Sequence, residues 1–175
     1  MSDPASPQAG PSARDVEGWL AELGVTPAER ADRERITAWD LMLDGERRFD
    51  VPATVILDPA LAVIVWIHFA PPILDRFRVS YRRLLKWNDA FPFVKFALAE
   101  DERPVLSTEI PLALLDRDAL GLAIVRLLSI CDQLLEESAA WLWVGGRIPD
   151  TTSRIARHSD LFARYVDRLG DLRPS

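Results

Sequence analysis

The chain has 175 residues, 27 of them Asp or Glu and 21 Lys or Arg, giving a formal net charge of −6, and 49% of its residues are hydrophobic. A composition this close to the globular average excludes a disordered, fibrous or wholly membrane-embedded chain and fits one domain with a full core. The single cysteine, Cys131, cannot form an internal disulfide, so nothing calls for an oxidising compartment and a cytoplasmic protein is expected.

The first residues, Met1 to Pro11, lack the basic and apolar regions of a secretory signal, and residues 1–12 are expected to be a disordered leader. From 14 to 23, Val16, Trp19, Leu20 and Leu23 recur at three- and four-residue spacing, with Ser12 as N-cap and Gly24 just past the end. That pattern predicts a short amphipathic helix. Pro27 to Arg35 is a charged stretch, after which Trp39, Leu41 and Leu43 alternate with Ala38, Asp40 and Met42 as a first strand over 36–43. Asp44-Gly45 is expected to supply the positive-φ position of a hairpin, and 49–57 and 60–69 form two further strands around Asp58-Pro59. The result is an antiparallel meander. Its third run, Ala60 to Ile67, is apolar but far short of the ~20 residues of a spanning helix. Because it is apolar at odd and even positions, it should be covered on both faces, by helices on one and by another layer or subunit on the other.

Pro71-Pro72 ends the meander, since neither residue can donate to a ladder. Residues 74–88 then read as a helix with Leu74, Phe77, Tyr81, Leu84 and Leu85 on one stripe. Phe93 to Ala99 and Val105 to Ile110 alternate as a hairpin around Glu100 to Arg103, with Val94, Phe96 and Leu98 on one face. A long helix runs from Asp116 or Asp118 to about Trp143, its stripe Leu120, Ile124, Leu127, Cys131 and Leu134 flanked by Val125, Leu128 and Leu135. Gly145-Gly146 closes this unit, and residues 149–153 open a tail helix carrying Ile155, His158, Phe162, Tyr165 and Leu169. The organisation expected is a domain over 13–144 and a tail over 145–175. The fold class is α+β: a helix, a three-stranded antiparallel meander, a helix, a β-hairpin and a long helix, with a five-stranded, mainly antiparallel sheet and a C-terminal amphipathic helix.

That element order resembles the fold of the class I type III secretion chaperones, and four short blocks resemble the YbjN-domain family of bacterial sensory-transduction regulators. The blocks are Arg83-Leu84-Leu85-Lys86-Trp87-Asn88, Phe93-Val94-Lys95-Phe96-Ala97-Leu98, Glu109-Ile110-Pro111-Leu112 and Leu115-Asp116-Arg117-Asp118-Ala119-Leu120, and the similarity covers about residues 34–143. The resemblance implies a domain that is often a homodimer and binds polypeptide without catalysing anything. It offers no catalytic residues to carry over.

Catalytic and metal chemistry find no constellation. His68, His158 and Cys131 fall in three elements without ligand spacing, so no metal is expected. His68 reads as a hydrogen-bonded strand-end histidine, and Cys131 as an inert buried thiol. Gly145-Gly146 is no phosphate loop, G-x-S-x-G is absent, and Glu100, Asp101 and Glu102 read as a solvated turn. No cofactor and no enzymatic activity are expected.

Charge is segregated. Residues 74–88 carry five basic residues and one acidic, +4, which leaves −10 for the rest of the chain. A solvated helix face is the ordinary reading, but Arg78, Arg82 and Lys86 share one side and, with Arg83, form a candidate partner-binding face. Nucleic acid is the alternative partner for this helix, disfavoured because the chain is acidic and only Tyr81 and Trp87 interleave. Trp141 and Trp143 lie on opposite sides of a helix end, so one of them should meet the tail or a partner. The basic residues of the tail are offset by Asp160, Asp167 and Asp171, and no membrane contact is expected. The partners expected are a second copy of the chain and an unidentified protein or peptide client.

Overall fold

The computed structural model describes residues 10–73, 78–143, 154–170 and 172. Helix α1 (Ala13–Glu22) begins where the Ser12 side chain accepts from the Asp15 main chain while the Asp15 carboxylate accepts from that of Ser12. This capping box satisfies two otherwise orphaned donors. The helix ends at Leu23, and Gly24 follows at φ 73°, a conformation that favours glycine.

The strands are β1 (Glu29–Arg33), β2 (Ile36–Leu43), β3 (Val51–Asp58), β4 (Ala62–His68), β5 (Lys95–Leu98) and β6 (Pro104–Pro111). They form one sheet in the order β1-β2-β3-β4-β6-β5, antiparallel throughout. Helices α2 (Arg78–Ala90), α3 (Arg117–Leu142) and α4 (Ser159–Tyr165) complete the α+β fold. The sheet therefore has six strands where five were expected. The extra one, β1, is exposed at every position and has no apolar alternation to betray it. Its backbone ladder with β2 is reinforced by side chains: Arg30 pairs with Asp32 and Glu17, and Thr37 donates to Asp32. Such a charged strand also keeps the sheet edge from recruiting another chain. The opposite edge is closed by one amide. Asn88 Oδ1 accepts from the Phe96 N–H at 2.6 Å and its Nδ2 donates to the Phe96 carbonyl at 3.1 Å, as a neighbouring strand would.

Alternate strand residues such as Trp39, Leu41, Val55, Val65 and Ile67 pack against α1 and the expected stripe of α3, including Cys131, in one core. Several details depart from expectation. The β2–β3 loop places Asp50, not Gly45, at positive φ (52°). Gly45 is needed for space, since a Cβ there would lie 2.5 Å from Asp132 Oδ2. On α2, Leu84 and Trp87 are buried while Leu85 is 68% exposed, because the helix turns Trp87 toward Phe69, Phe96 and Trp141. Residues 74–77 of that expected helix lie outside the described residues, as do 1–9 of the expected leader. On β5, Phe96 is buried while Leu98, at the end of the strand, is 38% exposed. The tail helix is shorter than its stripe implied: α4 spans seven residues with a 3₁₀ turn after it, Leu161, Phe162 and Tyr165 are buried, and Ile155 is 87% exposed ahead of it. The expected opening at 149–153 lies outside the described residues.

Asn88→Ala removes both edge hydrogen bonds and leaves the Phe96 amide bare. It should lower unfolding free energy in urea by about 1–3 kcal/mol and raise concentration-dependent association.

Candidate functional site

The basic helix meets the two tryptophans differently. Arg82, Arg83 and Lys86 are exposed on α2, which Arg78 begins, its side chain lying outside what the structure describes. Arg83 sits 5.0 Å over the ring of Trp141, which packs 5.3 Å from Trp87 and donates its Nε1 to the Glu137 carbonyl. Trp143 instead lies 5.3 Å beneath the Arg48 guanidinium. Trp141 therefore meets α2 and Trp143 meets the β2–β3 loop. No hydrogen bond or ion pair holds Arg82 or Lys86 among the described residues, whereas the aromatics nearby are already engaged.

The outward side of the sheet is a second surface. On it Ala38 stands opposite Ile56 and Ile56 opposite Ile64, while Thr54 is flanked by Asp40 and Trp66. These positions of β3 and β4 are half-buried, and Met42 on β2 is 42% exposed. Thr54 donates to Asp40 at 2.7 Å, and Lys95 pairs with Glu109 at 2.7 Å near the rim. Thr54, Ile56, Trp66 and His68 floor a recess of about 490 Å³ walled by Ala99, Glu100 and Asp101. His68 is expected to be hydrogen-bonded, yet among the described residues its Nδ1 and the neighbouring Trp66 Nε1 are buried with no hydrogen-bond partner.

A groove of about 550 Å³ runs between β6 and α3, lined by Ile110, Leu114, Leu122 and Arg126 among others. At its rim Phe93 is 80% exposed at φ 66°, with its carbonyl accepting from Thr108 Oγ1 at 2.7 Å and its ring under Arg126. A left-handed bulky residue is held there by its surroundings at an energetic cost.

The densest polar centre is one that sequence reading missed. Asp132, buried on α3, accepts main-chain N–H groups of Glu46 and Arg48 at 2.7 Å each, which shapes the β2–β3 loop around it. Burial pushes its carboxyl up to about 6 despite those donors. Arg48, also buried, packs over Phe69 and against the Cys131 thiol, which burial pushes up to about 12. At the start of the same loop Asp44 is fully buried (0% exposed) and accepts from Arg154, from the side chain and main chain of Arg157 and from the Asp50 main chain. Burial alone would raise its carboxyl, but the hydrogen bonds from Arg157 and the two main-chain donors outweigh it and hold the group well below the ordinary carboxylate range. The signal available in sequence was Asp132 itself. It continues the flanking row of Val125, Leu128 and Leu135, where a charge requires buried partners.

Among the described residues no group of three or more His, Cys, Asp or Glu could hold a metal ion, and no helix is long and apolar enough to cross a membrane. The model of the YbjN family, described as "Putative bacterial sensory transduction regulator", matches residues 12–139, a span that takes in the sheet, α1, α2 and nearly all of α3. No curated protein matches the chain.

The two aspartates titrate in opposite senses. A depressed carboxylate contributes stability above its unfolded value and loses it as pH falls toward the folded one, so the Asp44 contribution should persist down to about pH 4. A raised carboxylate contributes stability that is complete below its unfolded value and lost as pH rises through about 6, so the Asp132 contribution should fall across that interval. In denaturant titrations, the difference between wild type and Asp44→Asn should be flat from about pH 7 to 4 and shrink below it. The difference for Asp132→Asn should change between about pH 4 and 6.

Proposed function

The chain belongs to the YbjN family, and we propose on that premise that it is a non-enzymatic regulatory module that binds protein, working as a homodimer that holds a polypeptide segment. The family's description supports the regulatory part, and the order of elements is compatible with a type III secretion chaperone fold. The single observation that carries the reading is the side of the sheet that, among the described residues, no helix covers. Ile56, Ile64, Trp66 and Met42 make an apolar patch there, and the helices lie on the other side. A second copy placed face to face buries that patch, and rim groups of both signs, Lys95 with Glu109 and Asp40 beside Thr54, can pair across a two-fold axis. The groove beneath the exposed Phe93 ring suits an apolar side chain of a client.

The nucleic-acid reading keeps one observation in its favour, the unpaired Arg82 and Lys86. Against it, Trp87 is buried and Trp141 is stacked under Arg83, so neither of these aromatics is a free platform beside the basic groups.

Light scattering on a size-exclusion column should give a mass of two chains at micromolar concentration, and Trp66→Glu or Ile64→Glu should halve it while far-ultraviolet circular dichroism stays unchanged. A monomeric wild type would overturn the dimer. Charge reversal at Arg82 and Lys86 should leave the chain's retention on DNA and RNA unchanged.

A further inference from the structure

The segment from Arg154 to Gly170 lies beyond the residues that match the family and packs Leu161, Phe162 and Tyr165 onto the domain's core. Every hydrogen bond between it and the domain, among the described residues, uses a side chain. At its head Arg154 reaches Asp44 and Asp50 at 2.8 Å each. Arg157 forks onto Asp44 at 2.9 and 2.7 Å and onto Asp50 at 2.8 Å. Its main-chain N–H donates to Asp44 at 3.0 Å, and His158 Nδ1 accepts the Asp44 N–H at 3.0 Å.

The rest of the segment is an apolar plug. Leu161, Phe162 and Tyr165 are buried, and the Tyr165 ring presses on Gly121 so closely that a Cβ there would lie 2.6 Å from it. The Tyr165 hydroxyl donates to Asp118 at 3.0 Å. Two separate features of the domain therefore receive this segment: a buried carboxylate beside a second one, and a glycine notch on α3.

The buried carboxylate decides the matter. If the segment leaves, Asp44 loses both guanidinium groups and the Arg157 main-chain donor, and retains only the Asp50 main-chain donor among the partners described. The vacated pair, Asp44 and Asp50, keeps two carboxylates close enough to share one guanidinium, an anionic site complementary to a replacement cation. Its geometry selects which one. Two carboxylates bridged by forked donors favour planar guanidinium groups over the point charge of lysine.

We infer that this surface is an exchangeable docking site. Residues 154–170 are its resident occupant, and a segment of another protein with the same chemistry displaces them. That segment would carry two arginines three residues apart at the head of a short helix, followed by an aliphatic–aromatic pair and a further aromatic one turn on. The tail is then an autoinhibitory cover, and the domain signals when a partner takes its place. The inference uses none of the residues of the uncovered sheet face and stands or falls independently of the dimer.

The probe is a labelled synthetic peptide with the sequence of residues 154–170, titrated by fluorescence anisotropy against the full-length chain. The Arg154→Ala, Arg157→Ala double variant, with its own head contacts removed, should bind the peptide about tenfold or more tighter than wild type. Its α4 amides should also exchange hydrogen faster. Placing lysine at both arginine positions of the peptide should weaken binding by about tenfold or more, as should adding Asp44→Asn to the double variant. If the double variant does not fold, Tyr165→Ala in the full chain opens the other end with the acidic pair intact and should show the same gain. Released α4 amides without peptide binding, or equal binding of the arginine and lysine peptides, would overturn the inference.

Discussion

A sheet has two faces, and this chain spends its helices on one. The alternation along β2, β3 and β4 sends Trp39, Val55 and Val65 under α1 and α3, which obliges Ala38, Ile56, Ile64 and Trp66 to stand on the other side. Nothing in the strands distinguishes the two sides as strongly as a half-solvated sheet normally would. Strand β4 is apolar on both, buried on one face and half-buried on the other. The half-buried patch of Ile56, Ile64 and Trp66 follows from that one constraint.

On the helical side the limiting element is charge. Asp132 is carried into the interior by its place on α3, and the β2–β3 loop wraps its main-chain donors around it. Gly45 is where it is because no larger residue would let the loop approach that carboxylate. The same loop then presents Asp44 to the C-terminal arginines. One buried carboxylate thus shapes a loop that carries a second, and the second holds the tail. A residue that orders the loop therefore also sets how firmly the tail is held, which is where stability would meet the proposed exchange.

The proposed roles divide the molecule sensibly. The sheet side offers a broad, weakly polar surface suited to another protein surface, while the loop and α3 offer a narrow site with two carboxylates suited to a defined segment. The basic helix α2 lies apart from both. Its Arg83 is spent on Trp141, and its exposed Arg82 and Lys86 contribute to a dipolar charge distribution that can orient encounters.

Much was legible in the sequence because local physics wrote it there. The cap at Ser12, the period-two strands, the N-cap Asp116 and the buried face of α3 around Cys131 depend on neighbours within a few residues, and the family resemblance rested on blocks of that kind. Strand β1 was not legible, since its ladder with β2 needs no apolar signal and its charges read as loop. Nor were the sites. Asp44 looked like a turn residue and Arg154 and Arg157 like the polar face of a tail helix, because their meeting spans 110 and 113 residues of chain. Charge, composition and periodicity determined an acidic α+β domain. Only the tertiary structure decided which aspartate lost its water and which arginines had to replace it, because desolvation is a property of the packed environment and not of sequence neighbours.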